Sequence, residues 1–250
     1  MRILSIDVGI KNLAHCLLDL KEAVLSLAGW EVVDLTNPVP CACGKKALHQ
    51  VAGQTYCKKH APAPPSVAGL TLSALQALCA THGVDAAGDR KTVVARFKQA
   101  TKLEKIKTAS QLQDTTISIA LTAHYDRLFT EKVDTVLIEN QLAARMKPLQ
   151  GMLIQYWTMK GAKVQIVSPT NKLKFLNMGD TTYSQRKKLG VEHTRRLLGE
   201  HKLAAATFEA SKKKDDLADA FLQAVWYIQE KQLFHSSQTK KTDPHGIVSV

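Results

Sequence analysis

The sequence predicts an α/β protein: a mixed sheet flanked by helices, interrupted after its opening strands by two small insertions. Three observations predict it. Met1–Asp7 and Thr135–Glu139 are short apolar runs with the pattern of buried strands, each ending in a carboxylate. Residues 215–229 place Leu217, Phe221, Ala224, Val225 and Ile228 at helical spacing, a stripe that packs against a sheet. Between 38 and 100 this pattern breaks into a cysteine-bearing polar segment and two short helical runs, separated by Ala61-Pro62-Ala63-Pro64-Pro65.

In chain order, strands over 1–7, 13–19 and 24–34 form an opening meander, with Asp7-Val8-Gly9-Ile10-Lys11-Asn12 as its first connection. The first insertion spans 38–61. Cys41-Ala42-Cys43 and Cys57-Lys58-Lys59-His60 offer three thiolates and an imidazole, a tetrahedral set for one structural zinc per chain, with His49 as a substitute ligand. The segment holds few large apolar residues and could hardly fold without such a staple. Five cysteines, an odd number, favour reduced thiols and metal ligation over a disulfide framework. Cys16 and Cys79 fall in apolar patterns and read as small buried residues.

The second insertion spans 66–100. A helix begins near Leu70 with Thr71 or Ser73 as its cap, stops at His82-Gly83-Val84, and is followed by a second helix from Gly88 through Phe97. Arg90, Lys91 and Lys98 make this second helix basic. The core resumes over 101–234: a helix near 110–130, the strand ending at Glu139, a helix over 148–160, a strand over 162–167, and basic helical segments leading to the helix at 215–229. Met152, Ile154, Tyr156, Trp157 and Met159 make the helix over 148–160 a candidate dimer interface, and ordinary core packing explains those residues nearly as well. Residues 235–250 read as a disordered tail.

Charge points to a polyanionic partner. The chain of 250 residues carries 34 Lys and Arg against 22 Asp and Glu, a net charge of +12. The excess is uneven: residues 160–214 hold 13 basic and 4 acidic residues and run directly into an acidic pair. A basic segment beside a metal site attracts phosphate. Lys172 and Lys174, after the turn Ser168-Pro169-Thr170-Asn171, are the first candidate phosphate contacts, and Lys212, Lys213 and Lys214 the next. No apolar stretch approaches the roughly 20 residues that cross a bilayer, so no membrane partner is expected. Nothing ahead of the first strand reads as a secretory signal, so an intracellular location is expected.

Four carboxylates carry the chemistry. Asp7 and Glu139 end buried strands, an expensive place for charge unless a cation sits opposite. Asp216 and Asp219, three apart, share a helix face, and Asp215 with Asp219 satisfies the same geometry almost as well. Carboxylates that hold two divalent ions are the standard apparatus for displacement at a phosphodiester.

Ser5-Ile6-Asp7-Val8-Gly9-Ile10-Lys11-Asn12-Leu13-Ala14, then Leu137-Ile138-Glu139-Asn140-Gln141, then Lys213-Lys214-Asp215-Asp216-Leu217-Ala218-Asp219-Ala220 resemble the RuvC-type Holliday junction resolvases, and among them the branch of fungal mitochondrial and poxviral resolvases. The resemblance covers roughly residues 1–35 and 110–230. It implies an RNase H-like fold and a homodimer dependent on magnesium or manganese, two ions per active site, that nicks a four-way DNA junction symmetrically. By position, Asp7, Glu139, Asp216 and Asp219 take the catalytic metal-ligand roles. It also implies a mitochondrial or viral replication compartment. Leu70–Phe97 resembles the SAP motif, a two-helix DNA-binding element, which implies that Arg90, Lys91 and Lys98 contact DNA. Asp-x-Gly after a first strand also opens the sugar-kinase and actin-like ATPases, but a second phosphate loop and a glycine-rich adenosine segment are missing, so no nucleotide cofactor is expected. A non-catalytic DNA-binding scaffold would account for the charge and leave the carboxylates unused.

Overall fold

The computed structural model describes residues 1–21, 24–36, 39–173, 182–199, 202–231 and 233; Lys174 and the expected tail over 235–250 lie outside them. The chain divides into two compact units, Met1–Thr36 with Ala109–Val250, and Asn37–Thr108. The first opens with β1 (Arg2–Asp7), β2 (Leu13–Lys21) and β3 (Val24–Val33). The second holds β4 (His49–Val51), β5 (Gln54–Tyr56), α1 (Leu72–Thr81), α2 (Arg90–Ala100) and β6 (Glu104–Lys105). The chain then completes the first unit with α3 (Asp114–Leu128), β7 (Thr135–Glu139), α4 (Lys147–Met159), β8 (Lys163–Val167), α5 (Tyr183–Leu198), α6 (Lys202–Ala210) and α7 (Lys214–Glu230).

The larger sheet has the order β3-β2-β1-β7-β8. β1, β2 and β3 pair antiparallel, whereas β1, β7 and β8 run parallel. Ile6 is the register partner of Ile138, so the parallel strands β1 and β7 end side by side and Asp7 and Glu139 emerge together. The turn that follows Asp7 is tight. A Cβ on Gly9 would meet the Asn12 carbonyl oxygen at 2.7 Å, so only glycine fits there.

Alternation along the strands builds two cores. Leu4, Ile6, Val136 and Ile138 pack on α3 and α4, while Ile3, Cys16 and Leu137 pack beneath α7. Both faces of β7 are covered, which is why all five of its residues are buried. Trp157, expected at a dimer interface, is 2% exposed and packs edge-on against Tyr125 and Phe129, because α4 needs its largest apolar residue to fill its own core. No helix among the described residues is long and apolar enough to cross a membrane.

Polar anchors set the rotation of α7. Trp30 Nε1 donates to the Leu217 carbonyl oxygen at 3.0 Å, Gln165 Nε2 donates to the Tyr227 hydroxyl at 3.0 Å, and buried Gln223 donates to Ser5 Oγ at 3.0 Å. The helix is thus tied to β3, β8 and β1. Burial runs round most of its circumference, wider than the predicted stripe, since α5 and α6 also pack on it.

The second unit combines the three-stranded sheet β5-β4-β6 with the hairpin of α1 and α2. β6 pairs Glu104 with Gln50, so the return to the larger unit falls after Thr108 and not at 101. Thr71 caps α1, accepting from Ala74 N at 3.3 Å. The second helix starts at Arg90, two residues beyond the expected Gly88, because Asp89 Oδ1 accepts from Thr92 N at 2.8 Å and makes Asp89 the cap. Leu75, Cys79, Val93 and Phe97 form the hairpin's buried core.

Gln223→Leu should lower stability by about 1–3 kcal/mol in urea unfolding, since Ser5 loses its donor in a dry interior. An unchanged midpoint would mean that packing alone holds α7 in place.

Candidate active site

Asp7 and Glu139 come from adjacent parallel strand ends, and Asp219 comes from α7 above them. Lys172, in the turn after β8, places Nζ 2.8 Å from Glu139 Oε1, 2.7 Å from Asp219 Oδ2 and 3.9 Å from Asp7 Oδ1. At the sequence level Lys172 reads as a phosphate contact. Here the side chain is 10% exposed and supplies a countercharge to one buried and two partly buried carboxylates.

One ammonium does not neutralise the cluster. Burial pushes the Asp7 carboxyl well above the usual range, against the pull of Lys172, and the neighbouring Glu139 and Asp219 push it the same way. Asp219 is raised too, by burial that Lys172 only partly offsets. Glu139 moves down: burial opposes its charge, but Lys172, Asp7 and Gln141 outweigh it. The donor set therefore has the anionic surplus and oxygen chemistry that a hard divalent ion takes.

Asp216 and Asp219 separate in their partners. Asp216 Oδ1 lies 3.8 Å from Lys187 Nζ and its Oδ2 lies 3.7 Å from Lys213 Nζ, with Oδ2 buried and lacking a hydrogen bond. Burial and the adjacent Asp215 raise its pKa. Asp215 pairs directly with Lys187, which outweighs burial and holds its carboxyl below the ordinary value. Asp215 is thus committed, while Asp216 keeps an oxygen with no hydrogen bond. Lys213 and Lys212 are exposed beside this helix start, and Lys214 is turned back on the Ser211 carbonyl oxygen at 2.9 Å. In the other unit Lys91 and Lys98 are exposed, and exposed Arg90 donates to the Leu70 carbonyl oxygen at 3.2 Å.

Four positioning residues carry no role in the sequence reading. Gln141 Nε2 donates to Glu139 Oε2 at 3.1 Å, and the Gln141 backbone N–H is held by buried Gln150 Oε1 at 3.1 Å. Gln223 and Lys187 complete the set. Gln150 and Gln223 leave no periodic or motif signal, Gln141 stands in the Glu139 segment with no role attached, and Lys187 is one cation among many in a basic stretch.

The cysteine segment forms a separate cluster. Cys41, Cys43, Cys57 and His60 bring their ligand atoms within 4.8 Å of one another, with Cys43 Sγ 3.8 Å from Cys57 Sγ and Cys41 Sγ 3.6 Å from His60 Nδ1. A tetrahedron with metal–sulfur bonds of about 2.3 Å has sulfur–sulfur edges of about 3.8 Å, so the spacing suits zinc. Backbone N–H groups of Cys43 and Cys57, with His60, pull the Cys41 thiol down to about 6 and make it a thiolate at neutral pH. His49 stands outside this group.

Lys172→Met, studied with a chelator present, should cost roughly 3–5 kcal/mol, because it leaves buried carboxylates without their partner. The deficit should narrow at acid pH, where protonated carboxyls no longer need the ammonium. Equal unfolding midpoints across pH would refute the countercharge role.

The family model described as Poxvirus A22 protein matches residues 90–231, more than half of the chain. An uncharacterized protein of Acanthamoeba polyphaga mimivirus, L451, is 24% identical over 98% of this chain and 77% of its own length. The fowlpox virus resolvase, solved in complex with its substrate Holliday junction DNA, has the same fold, with TM-score 0.51 and 14% identity over 92% of this chain and 99% of that one. A second fowlpox virus Holliday junction resolvase structure gives TM-score 0.48 and 13% identity over 92% and 99%. By the family model, which matches more than half of its length, the chain belongs to the poxvirus A22 protein family, and it shares the fold of the fowlpox virus resolvase.

Proposed function

We propose that this chain is a structure-selective DNA endonuclease that resolves four-way junctions by paired symmetric nicks. The convergence of Asp7, Glu139 and Asp219 on one buried cation position, with Asp216 a turn away, supports this reading most. When bound, two magnesium or manganese ions per site would activate the attacking water and stabilise the charge that develops on the leaving oxygen. Asp7, Glu139, Asp216 and Asp219 are the residues that would hold them. Gln141 keeps Glu139 oriented, and Lys187 holds Asp215 aside so that Asp216 stays available. Lys172 stands in for a cation in the resting site and is free to meet phosphate once the carboxylates are otherwise neutralised. Lys212 and Lys213 provide sequence-independent affinity, and Lys91 and Lys98 of the hairpin extend it as a SAP-like element. Lys174, Lys214 and Arg90 are further proposed DNA contacts.

Two nicks at symmetric positions need two active sites related by a two-fold axis, hence a homodimer. On α4, exposed Met159 with half-buried Met152, Ile154 and Tyr156 is the candidate contact once Trp157 is assigned to the core. In the second unit Cys41, Cys43, Cys57 and His60 hold one structural zinc per chain. Replication of a viral genome is the setting that the poxvirus and mimivirus relatives favour.

On a four-way junction with magnesium, Asp7→Asn, Glu139→Gln, Asp216→Asn and Asp219→Asn should each slow cleavage by a factor on the order of 10² or more while junction binding persists. Asp215→Asn should keep most of its activity. A dead Asp215→Asn beside an active Asp216→Asn would reverse their assignment, and cutting by Asp7→Asn would overturn the site.

Elemental analysis after dialysis against a chelator should find one zinc per chain, lost in Cys57→Ser. Folded protein free of zinc would refute the metal.

A further inference from the structure

We propose a further, independent metal site in the larger unit, on the face of the sheet covered by α3, formed by His15, Glu31 and His124 and suited to a divalent transition ion of the zinc class. His15 on β2 and Glu31 on β3 are direct register partners, and α3 lays His124 across them. His15 Nε2 lies 3.7 Å and His124 Nε2 3.3 Å from the same Glu31 Oε1, and the three ligand atoms all fall within 4.8 Å of one another.

Polar contacts within the group are poorly formed. Glu31 Oε1 and His124 Nε2 are buried and face each other at 3.3 Å without a well-formed hydrogen bond, a costly arrangement that a cation shared with His15 Nε2 would relieve, and the His15 side chain is 1% exposed. The separations are those of ligands around a common centre. Metal–nitrogen and metal–oxygen bonds of about 2.0–2.1 Å give tetrahedral edges of about 3.4 Å, which the two measured distances bracket. Two imidazoles and a carboxylate select a zinc-class ion over magnesium, which prefers oxygen.

The surroundings fit as well. The His15 ring packs against Tyr125 and Phe129 at centroid distances of 5.8 and 5.7 Å, a dry wall that fixes its orientation. Glu31 is 45% exposed and gives the ion a way in and a solvent position for the fourth ligand. An ion bound there would cross-link β2 and β3 to α3, the first helix of the larger unit after the insertion. The site shares no residue with the carboxylate cluster or the cysteine cluster, so its existence does not depend on the proposed nuclease reading.

The test is zinc titration of the full chain by calorimetry and thermal shift, in excess magnesium, after chelator dialysis that leaves tightly held zinc in place. Glu31→Gln is the main variant, because a half-exposed position tolerates it, and His124→Gln is the second. Wild-type protein should take up an added zinc equivalent and melt at higher temperature. Both variants should bind it more weakly than by the ~10–100-fold that losing an outer partner costs. Cobalt in place of added zinc should give a spectrum free of thiolate charge transfer, which separates this site from the cysteines. Equal uptake by wild type and Glu31→Gln, or no uptake by either, overturns the proposal.

Discussion

Three largely enclosed carboxylates at one end of a sheet demand a countercharge, and the active face is organised around that demand. Each buried ion costs several kcal/mol that only close, well-bonded partners return. Lys172 supplies one such partner, and burial, with the neighbouring Glu139 and Asp219, still pushes the Asp7 carboxyl well above the ordinary range. The same imbalance makes the cluster a receptor for a divalent ion, since any added positive charge relieves it. Stability without metal and appetite for metal are two consequences of one electrostatic arrangement.

Geometry enters through topology. Parallel pairing of β1 and β7 is what aligns Asp7 and Glu139, because only parallel neighbours end at the same edge. Asp219 reaches them because α7 is fixed in rotation by Trp30, Gln223 and Tyr227, which tie it to three different strands. Gln223 lies one turn beyond Asp219 on the same face, so the residue that anchors the helix to β1 also aims the carboxylate. Asp215, one position from Asp216, turns instead toward Lys187 on α5.

The second unit follows a different logic. Its hairpin has a core of four fully buried residues, and its sheet is made of strands of two or three residues. Units of that size seldom fold on apolar burial alone and recruit a staple. The cysteine cluster, already spaced as a tetrahedron, answers that need, while capping by Thr71 and Asp89 sets where the two helices begin.

Much of this molecule was legible in the chain itself. Period-two and period-3.6 patterns located the strands of the larger sheet and the helix that carries Asp219, since burial imposes those periods directly on composition. The cysteine spacing named its own ligand set together with His60, and the fold leaves the substitute His49 outside that cluster. What the sequence by itself determined was therefore local: which segments are buried and which residue types stand at their ends. Tertiary structure alone decided that Lys172 faces inward among carboxylates, that Asp215 and Asp216 part company, that Trp157 fills the core, and that His15, Glu31 and His124 meet. Each of those depends on distances between segments far apart in the chain, and no periodicity records a distance of that kind.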